Sequence, residues 1–206
     1  MDGATKRQLA DGAASLGVAL DEGALDKLGR YLDLLLVWNR RINLTAIDRP
    51  SEVVDRHFLD SLAVAPLLDD ARTLLDVGSG AGFPGAVLAI ARPGLRVTCV
   101  ESIQKKVAFL QTLRRELSLD LEPLAIRLEA LAPDRRFDAV ISRATWDPAE
   151  WVTSGAPFAA PTGLLIAMQT LEQPIVAPPP GFVALPPRDY TIAGVTRRLT
   201  AFRAAA

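Results

Sequence analysis

Apolar residues recur at helical spacing twice before any strand-like run appears. In the second and clearer pattern, Leu25, Leu28, Leu32, Leu35 and Leu36 fall on one stripe. With Asp21 as N-cap, this predicts a helix ending near Asn39. A third helix is expected after Pro50, with Ser51 as cap and Val54, Phe58 and Leu62 on one face, stopping by Pro66. From Arg72 the period changes. Thr73–Val77 reads as a strand, Pro84 opens a helix to about Arg92, and Leu95–Val100 is a second strand. A helix over Ile103–Leu117 follows, then a weak strand at Leu124–Arg127 and strong ones at Phe137–Ser142 and Gly163–Gln169. The uncharged run Trp151–Leu171 is interrupted by Gly155, Pro157, Pro161 and Gly163, so it reads as a loop leading into a core strand rather than a membrane span. Beyond Glu172 the chain is proline-rich. Val183–Leu185, Thr191–Val195 and Arg198–Phe202 are expected as late, partly antiparallel strands.

Strands that alternate with helices imply an α/β fold, with a doubly wound, mostly parallel sheet. The organisation expected is an N-terminal helical extension, residues 1–66, packed on a core of residues 67–206 as one compact unit.

Composition narrows the classes. Half of the 206 residues are apolar and 23% are charged, which suits a globular domain and excludes a disordered chain. The net charge of −1 gives no global signal for nucleic acid, so any polyanion contact must come from a local patch. Two basic clusters qualify: Arg40, Arg41, Arg49 and Arg56, and Lys105, Lys106, Arg114 and Arg115. The single cysteine, Cys99, cannot form an internal disulfide and fits a reducing compartment, and the polar N-terminus lacks a signal-peptide core. A cytoplasmic protein is expected, and nothing in the composition demands a second copy. One histidine and one cysteine make a zinc site untenable.

The most informative run is Leu74-Leu75-Asp76-Val77-Gly78-Ser79-Gly80-Ala81-Gly82. A buried strand ends in an acid, then turns through glycines into a helix. Such loops let backbone N–H groups approach a ligand closely. Glu101 follows Gly78 by 23 positions, at the end of the next strand, where a carboxylate can accept both hydroxyls of a ribose. The run also contains G-x-G-x-x-G as Gly80-Ala81-Gly82-Phe83-Pro84-Gly85. A dinucleotide site and a ligand-free tight turn therefore stay open. The form acid-x-G-x-G-x-G, with Asp76 two residues before Gly78, is typical of S-adenosylmethionine (SAM) methyltransferases. Asp76 would then sit beside the ammonium of the cofactor, and Gly78, Gly80 and Gly82 would pack against its amino-acid end.

Arg143 follows the strand Phe137–Ile141 within Ser142-Arg143-Ala144, at the strand end where ligands bind in such sheets. His57, near Asp60 and Ser61, is read either as a structural histidine or as a site residue. No Asn/Asp-Pro-Pro-aromatic motif for exocyclic amines is present, and no Pro-Cys nucleophile. An acceptor that needs no strong base, such as guanine N7, fits these absences.

Five separated blocks resemble the RsmG/GidB family, the guanine-N7 methyltransferases of bacterial 16S ribosomal RNA. They are Trp38-Asn39…Asn43-Leu44-Thr45, Arg56-His57-Phe58-Leu59-Asp60-Ser61, Asp76 to Gly85, Glu101-Ser102 with Lys105-Lys106, and Val140-Ile141-Ser142-Arg143-Ala144. The resemblance implies a class I SAM methyltransferase, Rossmann-like, acting on the small ribosomal subunit. It implies SAM contacts at Gly78, Gly80, Phe83, Glu101, Leu128, Glu129 and Arg143. It sets Asn43 and His57 near the cofactor or acceptor pocket, so the catalytic candidates are Arg143, Asn43 and His57. The C-terminal third departs from the family: Gln169 stands where the family has a lysine expected to face substrate, and Thr196-Arg197-Arg198 replaces Glu-Arg-His. Gln169 can still hydrogen-bond a base edge. Three alternatives follow: a SAM-binding protein with lost transfer, a small-molecule methyltransferase, and a dinucleotide oxidoreductase.

Overall fold

The computed structural model describes residues 1–143 and 147–205. Four helical elements precede the sheet: α1 (Gly3–Ser15), α2 (Glu22–Ile42), α3 (Pro50–Val53) and α4 (Asp60–Leu62). A π-helical stretch, Val54–Leu59, joins α3 to α4. Then come β1 (Thr73–Val77), α5 (Gly85–Ala91), β2 (Arg96–Val100), α6 (Gln104–Leu117), β3 (Leu121–Leu124), β4 (Phe137–Arg143), α7 (Pro148–Gly155), β5 (Ala159–Thr170), β6 (Phe182–Ala184), β7 (Arg188–Ile192) and β8 (Val195–Ala204).

The sheet runs β3-β2-β1-β4-β5-β8-β6, with β7 also paired to β8. Strands β3, β2, β1, β4 and β5 are parallel; β8 pairs antiparallel with β5, and β6 and β7 antiparallel with β8. From β1 the chain first builds outward through β2 and β3, then returns to place β4 on the other side. This reversal opens a crevice at the C-terminal ends of β1 and β4, where ligands bind in open α/β sheets.

The two faces are covered differently. Residues of α1, α2, the 50–62 helix, α5 and α6 form one continuous apolar cluster with Leu74, Ile141 and Ile166 of the sheet. On the other face Trp151 and Val152 of α7 pack with Leu75, Val140, Leu165 and Phe202.

Several boundaries differ from the sequence reading. Helix α2 continues past Asn39 to Ile42 and stops because Asn43 takes a left-handed conformation (φ 49°) that asparagine tolerates. Ser51 is not the cap of the third helix. Arg49 occupies that position, and Pro50 takes the first turn, where its missing N–H costs nothing. Strand β3 lies at Leu121–Leu124 rather than at 124–127; it is an edge strand, which is where Pro123 can be tolerated. Residues 148–155 are helical, not loop. Asp147 caps the Ala149 and Glu150 N–H groups, and burial of Trp151, Val152 and Gly155 overrides the glycine and proline that look like breakers. The expected strand Thr191–Val195 is split by a hairpin turn: Thr191 and Ile192 end β7, Val195 opens β8, and Ala193 (φ 48°) and Gly194 (φ 79°) link them.

Phe202 is fully buried on β8, against the α7 face. Phe202→Ala should cost roughly 3–5 kcal/mol in urea unfolding, and a loss below about 1 kcal/mol would contradict this packing.

Candidate functional site

The acid of the glycine loop is shut inside the protein. Asp76, at the end of β1, is fully buried, and its Oδ2 accepts the Gly85 N–H at 2.9 Å. Its Oδ1 is buried with no hydrogen-bond partner among the described residues. Burial raises its pKa to about 6, the Gly85 N–H acting against that. The loop turns through Gly78 (φ 72°), Gly80 (φ 57°) and Gly82 (φ 98°), all in the left-handed region. From the helical cap, the Tyr31 hydroxyl donates to the Ala81 carbonyl. A Cβ at Gly82 would lie 2.7 Å from that hydroxyl.

Glu101, at the end of β2, is 7% exposed. Its Oε2 accepts the Gly80 N–H at 3.0 Å and its Oε1 the Ile103 N–H at 2.8 Å. Lys106 Nζ stands 4.0 Å from Oε2. A carboxylate has about four lone-pair sites, so each oxygen keeps one for a hydroxyl. Beside it opens a cleft of about 380 Å³ lined by Gly78, Glu101, Ile103, Lys106, Leu128 and Glu129. Ile126 and Arg127 also line it, which the sequence reading missed. The cleft, the loop and the acid offer the polar groups that an adenosyl group with an amino-acid tail requires. The unpartnered Asp76 oxygen is a local negative pole under that loop.

A second constellation sits across the crevice. Arg143 Nη1 donates to Asp60 Oδ2 at 3.0 Å and to the Arg56 carbonyl at 3.1 Å. Its guanidinium also lies 5.3 Å from the centre of the Phe83 ring. Arg143 Nη2 is 3.2 Å from His57 Nδ1. A guanidinium only donates, so Nδ1 accepts and the His57 proton resides on Nε2, which donates to Thr45 Oγ1 at 2.8 Å. Asn39 brackets Thr45 by accepting its N–H and donating to its carbonyl, both at 2.9 Å. Burial first, and then the Arg143 charge, lower the His57 pKa to about 3. His57 is therefore a neutral acceptor at physiological pH, with both ring nitrogens engaged. Its ring stacks on Phe83, 4.4 Å between centres.

The predicted residues are thus brought together in two groups. Asp76, Gly78, Gly80, Gly82, Glu101, Leu128 and Glu129 surround the loop and cleft, while Arg143 and His57 meet over Phe83. Phe83 is 4% exposed and backs the loop instead of lining open space. Asn43 is exposed at the C-terminus of α2, and Asn39 and Thr45 are the residues that connect to His57. Asp60 was named only as a neighbour of His57, yet it is the partner of Arg143. Ala144 lies outside the described residues. Ser142 donates to the Val77 carbonyl at 2.9 Å and ties β4 to β1.

Gln169 does not face open space. It is 2% exposed, accepts from Thr200 Oγ1 and donates to the Pro174 carbonyl at 3.0 Å. Both ends of its amide are spent inside the protein, so it offers no base edge a contact.

The basic clusters resolve in part. Arg30 pairs with Glu116 at 3.6 Å and Trp38 packs on Phe109 at 5.6 Å, so α2 and α6 run antiparallel. That register sets Arg40 and Arg41 at the same end as Lys105 and Lys106, the end bordering the 380 Å³ cleft. Arg114 and Arg115 point to the opposite end, and Arg49 is paired with Glu52.

Comparison with known proteins gives one consistent answer. Residues 24–175 match the family described as GidB, rRNA small subunit methyltransferase G. The chain is 48% identical over 171 residues to Ribosomal RNA small subunit methyltransferase G of Anaeromyxobacter sp. (strain Fw109-5), covering 82% of this chain and 80% of that protein. It is 39% identical over 191 residues to the protein of the same name from Azoarcus sp. (strain BH72), covering 91% and 90%. Among solved structures it resembles SAM-bound magnesium protoporphyrin IX methyltransferase from Synechocystis PCC 6803, with a TM-score of 0.62, 16% identity, and coverage of 91% and 99%. That likeness concerns the fold.

His57 is the sole histidine, so its ring reports without ambiguity. An NMR titration should find it neutral, Nε2–H, with no proton uptake between pH 8 and 5; a midpoint near 6.5 would contradict the Arg143 contact. Because its pKa falls on folding from 6.5 to about 3, the stability it contributes is present above pH 6.5 and lost as pH drops toward 3. Asp76 acts oppositely: its pKa rises from 3.8 to about 6, so its part of the stability declines as pH climbs through that window and is flat above it.

Proposed function

The chain belongs to the rRNA small subunit methyltransferase G (GidB) family, and from that premise we propose that it methylates N7 of a guanine in bacterial 16S rRNA. It is a SAM-dependent rRNA methyltransferase with a class I, Rossmann-like fold. Neither the binding-only reading nor the small-molecule reading finds support. The first rested on Gln169, which is an internal tie.

One observation carries the choice of acceptor atom: among the described residues, the side chains that meet over Phe83, His57 and Arg143, offer no free base. His57 is neutral, with both nitrogens in use, and Arg143 only donates. A hydroxyl or amine acceptor must shed a proton, whereas guanine N7 has a lone pair and no proton. SAM, when bound, supplies a methyl group on a positively charged sulfur. The chain then contributes position and field.

In this reading Gly78, Gly80 and Gly82 present backbone to the amino-acid end, and Asp76 supplies negative potential beneath it. Glu101 takes the ribose hydroxyls, and Leu128 and Glu129 border the adenine. Phe83 backs the loop, and Arg143 closes the site over it. His57 holds the guanidinium, and Asn39 and Thr45 hold His57 in turn, Asn43 lying outside this group. Arg40, Arg41, Lys105 and Lys106 meet phosphates beside the mouth. The base enters unstacked from a folded loop. Residues 1–66 serve as a helical extension of a core formed by residues 67–206. The protein acts as a monomer. A ribosomal substrate supports a cytoplasmic location, and no helix among the described residues is long and apolar enough to cross a membrane.

The direct test is transfer of labelled methyl from SAM to small subunits from cells lacking this protein, followed by chain cleavage at 7-methylguanine. Cleavage at one guanine is expected; label elsewhere in the RNA would overturn the N7 assignment. Glu101→Gln should weaken SAM binding about ten-fold in calorimetry, the size of one hydrogen bond to a charged group. Arg143→Ala should lower kcat roughly a hundred-fold. Transfer should fall steeply between 50 and 200 mM salt, as phosphate contacts require, and a salt-independent rate would argue against RNA docking at this mouth.

A further inference from the structure

We propose that Tyr190, on β7, is a positioning residue for methyl transfer, because its phenol decides which arginine the Asp60 carboxylate holds. The inference rests on the reading of Arg143 as part of the transfer site.

Asp60 is almost wholly enclosed, with a side chain 2% exposed. Its Oδ2 takes Arg143 Nη1 at 3.0 Å. Its Oδ1 takes the Tyr190 hydroxyl at 2.7 Å and faces Arg197 Nε at 3.5 Å. Two guanidinium groups therefore flank one buried carboxylate. A buried charge settles where its pairing and hydrogen bonding are most complete. The phenol is a neutral donor that satisfies Oδ1 at short range. With Oδ1 held, the carboxylate plane is fixed and Oδ2 points at Arg143. Remove the phenol, and Oδ1 has Arg197 at long range as its partner, so the carboxylate gains by turning toward Arg197. Arg143 would then lose its bond to Oδ2, and with it the orientation that presents Nη2 to His57 and the guanidinium to Phe83.

The hairpin is built to deliver both groups. Tyr190 and Arg197 are cross-strand partners in the β7–β8 pair. The Ala193-Gly194 turn sets that register. Tyr190 itself is 7% exposed, and burial with the adjacent Asp60 charge keeps its phenol protonated and so able to donate. The hairpin reaches Asp60 from one side of a cleft of about 310 Å³ whose other wall is the 50–62 helix, through Glu52, Asp55 and Arg56. Tyr190 falls in the C-terminal third, where the sequence departs from the family pattern, so no block of the resemblance pointed to it.

The test compares the full chain with Tyr190→Phe by two readings. The first is kcat for methyl transfer to small subunits, expected to fall about ten-fold at a temperature well below unfolding. The second is the ¹⁵N shift of His57 Nδ1, expected to move as the Arg143 bond loosens. Adding Arg197→Gln to Tyr190→Phe removes the competing guanidinium and should return the His57 shift to its parental value. A purely structural tyrosine would lower the melting temperature without that return. Parental kcat in Tyr190→Phe, an unmoved His57 shift, or a moved shift that Arg197→Gln does not restore would each overturn the proposal. Should the parent itself fail to methylate small subunits, the functional reading falls, and the His57 arm still decides whether Tyr190 acts on Arg143.

Discussion

The Asp76 carboxylate is enclosed at the junction of β1, the glycine loop and α5, and its surroundings are arranged around that fact. One oxygen takes the Gly85 N–H, the first donor of a helix whose own cap position, Pro84, offers no side-chain bond. An acid at a helix N-terminus is favoured by the exposed N–H groups and by the helix dipole. The same closeness explains Gly85 itself: a Cβ there would sit 2.6 Å from Asp76 Oδ2. Strand, loop and helix are therefore locked by one bond, and the loop is free to turn its backbone outward. The helical extension adds a second anchor through the Tyr31 hydroxyl, on the far side of the same loop.

Holding the loop rigid suits a site proposed to work by placement. The polar groups on the Arg143 side of the crevice are tied to one another: Asn39 to the Thr45 backbone, Thr45 with His57, His57 with Arg143, Arg143 with Asp60. Such a chain of bonds leaves little to reorganise when charge shifts. It also explains why the lone histidine is not a proton carrier. A cation on one side and a hydroxyl on the other leave it no reason to ionise.

Much of the fold was legible because the strand and helix periods in residues 73–117 and 137–142 are strong and the glycines and prolines between them fall at boundaries, whereas β3, with Pro123 inside it, was misplaced. The grouping of the glycine loop with Glu101 was legible too, since loop and acid lie on consecutive strands and their spacing is a local property. What could not be read depends on distant partners. Residues 148–155 look like a broken loop until β5 and α7 are seen to share a core around Trp151. Gln169 reads as a substrate contact until Thr200, on a strand that pairs back against β5, is found bonded to it. Asn43 stands out in the Asn43-Leu44-Thr45 block, but the helix runs on and leaves it exposed, so that Asn39, one turn earlier, makes the contact instead. The role of Asp60 is invisible in its own block because its partners come from β4, β7 and β8.

That last dependence has a consequence for how the molecule is made. Asp60 and Tyr190 are 130 residues apart. During synthesis from the N-terminus, the helix bearing Asp60 leaves the ribosome long before the hairpin that completes its bonding. Until β8 slots in beside β5, a carboxylate destined for the interior has only part of its complement. The full set of bonds around Asp60 therefore closes only when the β7–β8 hairpin is in place.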